Sequence, residues 1–256
     1  MKNQEKRTIV VMGASRGIGH ASAKLLTEQG FNIISISRSP SDVGISMQFD
    51  LYRQKDREKC ITYLQREYSN GIYGILYCLG SYLYDEENIE EVEHLWQTNV
   101  VYLHTFITGL KNLLEKGAFP FNMEPNRYKT TLKKTSSIVA VASIDSIKGG
   151  ANGRNPLYAA AKGAQVSYLR RISVSLSPII RVNWIHAGFV MTSFTKDHIL
   201  YYTNRDFKDQ IDNKTLLNRA GAPTDIAALC SFLLDHEKSG WITGSGIVID
   251  GGASVR

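Results

Sequence analysis

The stretch TIVVMGASRGIG, residues 8–19, decides how the chain is to be read. Five apolar or β-branched residues run straight into a glycine-rich turn. The apolar spacing then becomes helical through 18–29 and stops at Gly30. A strand, a glycine turn and a helix in immediate succession can bring a phosphate against free backbone amides. Glycine permits the close backbone approach, and the helix start offers unpaired N–H groups at the positive end of the dipole. Gly13, Ser15, Arg16, Gly17, Ile18 and Gly19 are therefore candidate nucleotide-binding positions. Their spacing is G-x-x-x-G-x-G rather than G-x-G-x-x-G.

The same alternation continues outward. Strands are expected at 32–37 (NIISIS), 47–50, 73–78, 137–142 (SIVAVA), 180–185 and 246–249. Helices are expected at 53–68, 89–114, 157–176 and 223–234, the last with proline at its start. Strands alternating with helices imply an α/β fold: one Rossmann-type domain over 1–256, a doubly wound parallel sheet of about seven strands with helices on both faces. In such sheets ligands bind beyond the carboxyl ends of the strands, so the residues just after each strand are the ones to read for chemistry.

Composition narrows the class. The chain has 256 residues, 43% hydrophobic and 21% charged, the balance of a soluble globular protein. Its first residues are basic and then only briefly apolar, and are expected not to act as a secretory signal. No apolar run nears the ~18 residues of a membrane span, so no membrane partner is expected. Cys60, Cys78 and Cys230 are odd in number and far apart, which suggests reduced thiols and a cytoplasmic location. The six histidines show no metal-ligand spacing, and no metal is expected. The net charge is +6, but the densest basic segment, 116–134, is interrupted by Pro120 and Pro125 and reads as a solvated loop. Nucleic acid is not an expected partner; an anionic substrate or an acidic protein suits the charge better.

PLYAAAKGA, residues 156–164, places Tyr158 and Lys162 one helical turn apart on the same face. By themselves they are a packing pair or an acid–base pair. The order of motifs along the chain separates the two readings. G-x-x-x-G-x-G after the first strand, Asn99 in WQTNVVYLH, Ser143 at the end of IVAVAS and Tyr-x-x-x-Lys follow one another. Over residues 8–252 the chain thereby resembles the short-chain dehydrogenase/reductase family, and within it the 3-oxoacyl-[acyl-carrier-protein] reductases. The resemblance implies that Tyr158 is the acid or base, that Ser143 hydrogen-bonds the substrate oxygen, and that Lys162 holds the nicotinamide ribose. It implies that Asn99 kinks the long helix and holds a water behind Lys162. A free phenol titrates near pH 10, about 4 kcal/mol from neutrality, and the adjacent ammonium together with a cationic oxidised nicotinamide is expected to favour phenolate.

The resemblance also assigns the cofactor site. Asp50 would contact the adenine amine beside Leu51, Gly80 would follow the fourth strand, and Gly188 and Thr192 would meet the nicotinamide carboxamide. Asn183, RAGAPTDIA (219–227) and ITGSGIVIDGG (242–252) match further family segments. At the end of the second strand an acidic residue would favour NAD by bonding the ribose 2′-hydroxyl. This chain has Ser37, Arg38 and Ser39 there, with Arg16 in the glycine loop, which suits the 2′-phosphate of NADP(H).

Some segments depart from the family pattern. The usual Asn-Asn-Ala-Gly is Tyr77-Cys78-Leu79-Gly80, and the usual Pro-Gly is Ala187-Gly188. The connection from Ser143 to Tyr158 is about two residues longer than usual, which makes Ser146 a second candidate for the role of Ser143. An insertion at 117–135 is read as a surface loop rather than a lid. The substrate lid is expected at 189–212, where Phe194, His198, Tyr201, Tyr202 and Phe207 could line a substrate pocket or form the lid's own small core. The expected activity is NADPH-dependent reduction of a ketone, either a small molecule or a 3-oxoacyl group on an acyl carrier protein. A homotetramer or homodimer through the long helices is the expected assembly. A ketone of a secondary-metabolite or sugar pathway is the alternative substrate. A non-catalytic NADP-binding sensor is a further alternative, but it would have no need of Asn99, Ser143, Tyr158 and Lys162 together.

Overall fold

Each central strand of the sheet is buried on both faces, as a parallel sheet covered by helices requires. The computed structural model describes residues 7–120, 134–148, 155–194 and 197–256. Seven parallel strands are β1 (Thr8–Met12), β2 (Asn32–Ser37), β3 (Ile45–Gln48), β4 (Gly74–Tyr77), β6 (Lys134–Ser143), β7 (Ile180–Ala187) and β8 (Gly246–Ile249). They lie in the order β3-β2-β1-β4-β6-β7-β8, and the short β5 (Phe119–Pro120) pairs antiparallel with the start of β6. The order reverses between β1 and β4, and a crevice opens above that point.

Alternation along the strands sends side chains to two cores. Val10, Met12, Ile75 and Tyr77 pack with Leu64 of α2 (Gln54–Glu67), Phe106 and Leu110 of α4 (Tyr102–Lys116), and Leu169 of α6 (Pro156–Leu176). Ile9, Val11 and Leu76 pack on the opposite face with Leu26 of α1 (Gly17–Glu28) and with Ile226 and Leu233 of α9 (Pro223–Leu234). The remaining helices are α3 (Ile89–Trp96), α5 (Asp145–Lys148), α7 (Asp197–Thr203), α8 (Arg205–Asp212) and α10 (His236–Ser239). Among the described residues no helix is long and apolar enough to cross a membrane.

Two of the expected elements depart most from the sequence expectation. The third strand is Ile45–Gln48, two residues earlier than 47–50. It is an edge strand paired only with β2, and Ile45 is 56% exposed, so apolar alternation does not mark it. The helix expected over 89–114 is interrupted by a π turn at Gln97–Val101, between α3 and α4. Buried Asn99 lies in that turn, and its Nδ2 donates to the carbonyls of Leu95 at 2.9 Å and Ser81 at 3.3 Å. A side-chain amide on a helix carbonyl competes with the backbone ladder and favours such a widening. Of the insertion at 117–135 only the ends are seen; residues 121–133 lie outside the described residues.

Arg181 ties the second core together. It is buried on β7, and its guanidinium donates to the carbonyls of Leu233 at 2.9 Å, Ser239 at 3.0 Å and Ile242 at 3.0 Å. These bonds hold the end of α9, α10 and the approach to β8 on one side chain. Arg181→Met removes the charge-assisted bonds to all three carbonyls, which keep only neutral donors, and is expected to lower stability by about 3 kcal/mol in urea unfolding with an unchanged m-value. A loss below about 0.5 kcal/mol, the range of an ordinary surface substitution, would show that the tie is dispensable.

Candidate active site

A cleft of about 710 Å³ opens at the carboxyl ends of β1, β4, β6 and β7. Gly13, Ser15, Arg16, Gly17, Ile18 and Gly19 all line it. Gly13 and Gly17 take positive φ of 85° and 58°, and a Cβ on Gly19 would stand 2.2 Å from the Gly13 carbonyl oxygen. Only glycine at these places lets α1 begin so close to the end of β1. The first α1 amide to bond back is His20 N, to Arg16 O at 3.3 Å, and the first turn carries no acidic residue. The amides before it have no partner within the helix and sit at its positive end, which suits an anion.

At the end of β2, exposed Arg38 lies 4.6 Å above the ring of Tyr52, and both line the cleft with Arg16. Ser37 is buried there and its hydroxyl donates to Ser39 O at 2.7 Å. Tyr52 is held edge-on against His94, with ring centroids 4.4 Å apart. No motif marks Tyr52; it becomes visible only when Arg38 is seen stacked on it. Leu51 lines the cleft as expected, but Asp50 does not. Its carboxylate accepts from Tyr52 N at 3.3 Å and pairs with Arg53 Nε at 3.3 Å. An aspartate bonded to the amide two residues ahead is engaged by its own turn, and the wall at that point is Phe49, Leu51 and Tyr52.

The other end of the cleft holds Ser143, Tyr158 and Lys162, with Gly80, Gly188 and Thr192 around them. Lys162 is 3% exposed on α6, and its Nζ donates to Val141 O at 3.3 Å and Gln165 Oε1 at 3.2 Å. Burial pulls its pKa from 10.5 down to about 8. Tyr158 is buried too. Burial pushes its phenol above the usual value, the Asp145 carboxylate adds to that, and a hydrogen bond with Ser143 opposes it. Without a cationic nicotinamide beside it, loss of water sets the direction of this shift; the Lys162 Nζ is 5.9 Å from the ring centroid.

Ser143 Oγ accepts from Asp145 N at 3.1 Å. Ser146 does not line the cleft; its hydroxyl bonds the Ser143 carbonyl and His186 Nδ1. Trp184 Nε1 donates to His186 Nε2 at 2.9 Å, so a neutral His186 carries its proton on Nδ1, toward Ser143 O and Ser146. Ser146 and His186 thus brace Ser143 from beneath. Residues 149–154 of the longer connection lie outside the described residues.

Asn99 stands behind the cleft rather than in its wall. A Cβ on Gly80 would sit 3.4 Å from Asn99 Oδ1 and 3.5 Å from Lys162 Nζ, so the missing side chain leaves a gap between them. A Cβ on Gly188 would stand 2.7 Å from Asp250 Cα, and Thr192 Cγ2 lies 3.2 Å from where a Gly17 Cβ would be. The segment after β7 therefore rests directly on the glycine loop.

The lid aromatics divide. Phe189 packs with Tyr201 and Phe207, at 6.3 and 6.4 Å between centroids, as a small core of the lid itself. Phe194 lines the cleft instead and meets Tyr82 at 6.4 Å. Tyr82 in turn lies 5.1 Å from Tyr158 and 5.2 Å from Tyr84. Its position, two residues past the glycine that ends the fourth strand segment, was the only sequence signal for this role.

The sequence profile of a family described as Enoyl-(Acyl carrier protein) reductase matches residues 120–254. The chain is 27% identical over 266 residues to the 3-oxoacyl-[acyl-carrier-protein] reductase of Bos taurus, covering 97% of this chain and 98% of that one. It is 25% identical over 270 residues to the L-rhamnose 1-dehydrogenase (NAD(P)(+)) of Azotobacter vinelandii, covering 98% and 97%. Among solved structures it is similar to a short chain dehydrogenase family protein from Francisella tularensis subsp. tularensis SCHU S4, with a TM-score of 0.81, 26% identity, and coverage of 98% of this chain and 100% of that one.

The burial of Lys162 has a signature in stability. Its folded pKa of about 8 lies below the unfolded 10.5, so between those values the unfolded chain binds more protons and stability rises with pH. Below pH 8 both states hold the proton and the burial cost is felt in full. Urea titrations of the wild type and of Lys162→Met from pH 7 to 10.5 are expected to show a rise in the wild type that the variant lacks. Parallel curves would mean that the ammonium is not held dry.

Proposed function

Because the chain belongs to the short-chain dehydrogenase/reductase family, we propose that it uses NADPH to reduce a ketone to a secondary alcohol. One observation carries the reading: a single cleft joins Ser143, Tyr158 and Lys162 at one end to Arg16 and Arg38 at the other. The glycine loop, the free amides of α1 and the two guanidiniums fit a dinucleotide with a 2′-phosphate, and no acidic residue ends β2 to favour a 2′-hydroxyl. When bound, the nicotinamide would supply the hydride.

The chain's own residues supply the rest. The phenol of Tyr158 gives its proton to the carbonyl oxygen as negative charge grows there. The hydroxyl of Ser143 bonds the same oxygen, fixed from the other side by the amide of Asp145. Two of the three Lys162 N–H groups are engaged by Val141 and Gln165, which leaves one for the ribose hydroxyls. Gly188 and Thr192, which line the same cleft, would meet the carboxamide.

Tyr82, Phe194 and Tyr84 form an aromatic wall beside Tyr158. That wall favours a ketone with an apolar substituent, such as a 3-oxoacyl chain, over a polyol that needs many hydrogen-bond partners. The net charge of +6 suits an acidic carrier protein as the bearer of that chain. Assembly as a homodimer or homotetramer through the long helices is part of the same reading.

Fluorescence titration tests the cofactor assignment. NADPH is expected to bind the wild type about 10- to 100-fold more tightly than NADH, and Arg38→Ala to remove most of that preference. Equal binding would favour an NAD-linked alcohol dehydrogenase. Tyr158→Phe is expected to bind NADPH normally and to lose about 10²- to 10⁴-fold in kcat on a ketone panel. NADPH binding by the wild type with no turnover of any ketone would favour the sensor.

A further inference from the structure

We infer that Gln165 is a positioning residue that holds the Lys162 ammonium charged and directed into the cleft. The inference rests on the reading of Lys162 as the residue that faces the ribose and Tyr158. Gln165 lies three residues beyond Lys162 on α6 and is 0% exposed. Its Oε1 accepts from Lys162 Nζ at 3.2 Å. Chemistry fixes the orientation of this amide, since an ammonium has only N–H groups to offer and must meet oxygen. Nε2 is then turned away, and it is buried without a hydrogen-bond partner.

A residue present only to fill space would not be built this way. The buried face of α6 is otherwise largely apolar, with Ala161, Val166, Leu169 and Leu176. Leucine or methionine would fit the volume and leave no stranded N–H, which is costly inside a protein. The amide therefore brings a standing penalty that its oxygen offsets only through Lys162. Asn99 Oδ1, close by across the gap at Gly80, is likewise buried and without a partner. The two stranded atoms are a donor and an acceptor, and the π turn that carries Asn99 packs on α6.

The other groups that act on Lys162 are few. Cys78 reaches it from the end of β4 and Asp145 from α5, and Tyr158 lies on its own helix. Val141 O and Gln165 Oε1 are the acceptors that touch it. Removing one acceptor should let burial drive the proton off more easily, and replacing it with a carboxylate should do the reverse.

The direct test is an NMR pH titration of protein carrying ε-carbon-labelled lysine, with the Lys162 signal assigned by its loss in Lys162→Met. In the wild type the midpoint is expected at about 8. Gln165→Leu is expected to lower it by about one pH unit and Gln165→Glu to raise it by about one. The alkaline limb of kcat for ketone reduction should move in the same order with the KM for ketone unchanged. Above the Lys162 midpoint, where the amine is neutral, Gln165→Leu should melt at or above the wild-type temperature because a stranded N–H is gone; Gln165→Met serves if leucine does not fit. Coincident midpoints, or shifts of both variants in the same direction, overturn the inference. The titration needs no turnover, so opposite shifts in a protein that reduces no ketone would sink the proposed reaction and leave this contact standing. Ketone reduction with unmoved midpoints would do the opposite.

Discussion

The dry ammonium of Lys162 is the constraint around which the site is arranged. At 3% exposure it has lost most of its water, and an unpaired charge there would not be tolerated. The fold answers with oxygen from two directions, the Val141 carbonyl at the end of β6 and the Gln165 side chain on α6. Gly80 opens space in front of it, and the π turn sets Asn99 beyond that space. Four elements that are distant in sequence converge on one Nζ. Because β6 and β7 pair along eight residues and α6 packs against β7, these acceptors are held by the rigid middle of the molecule rather than by a loop.

The parts of this arrangement that were legible in the sequence are those in which geometry admits few residue types. Gly13, Gly17 and Gly19 are required by positive φ or by a 2.2 Å approach, so they leave a spaced signature after the first strand. Tyr158 and Lys162 share a helix face by spacing alone. The doubly wound sheet followed from strands that are continuously apolar because both faces are covered. The third strand was displaced because its apolar residue faces solvent. The π turn was illegible for a different reason: it adds one residue to a helical turn without changing which residue types are helical. Asn99 and a kink at it were implied by the resemblance, and the backbone shows that the kink is a π turn. Asp50 is present at the matching position, and the structure adds that its carboxylate also braces its own turn.

Composition also could not divide the lid aromatics. Phe189, Phe194, Tyr201 and Phe207 are chemically alike and close in sequence, yet three pack on one another and one lines the cleft. What separates them is where the chain after β7 turns back, a tertiary fact. Tyr82 was missed for a related reason. Its partner Tyr158 is 76 positions away in number but lies against it in space, with the rings tilted by 56°, and no local pattern records such a pairing. Arg38 and Tyr52 are the same case at the other end of the cleft. The pairs that shape specificity are cross-element contacts, whereas the groups that carry the chemistry lie in local motifs.

The proton transfer of the proposed reaction rests on the same residues. Burial pushes Tyr158 up and Lys162 down, toward an uncharged pair. Water does not set the proton state of such a pair; a few fixed neighbours do. Asp145 acts on both, because its carboxylate disfavours the phenolate and favours the ammonium. Ser143 opposes it at the phenol, and Gln165 works with it at the amine. The balance keeps a proton on each group. A phenol that holds its proton until negative charge appears on a neighbouring oxygen is matched to an acceptor that becomes strongly basic only as it is reduced. That is the proton demand of a carbonyl taking up hydride, and in the reverse step the same side chain would take the proton back from the alcohol.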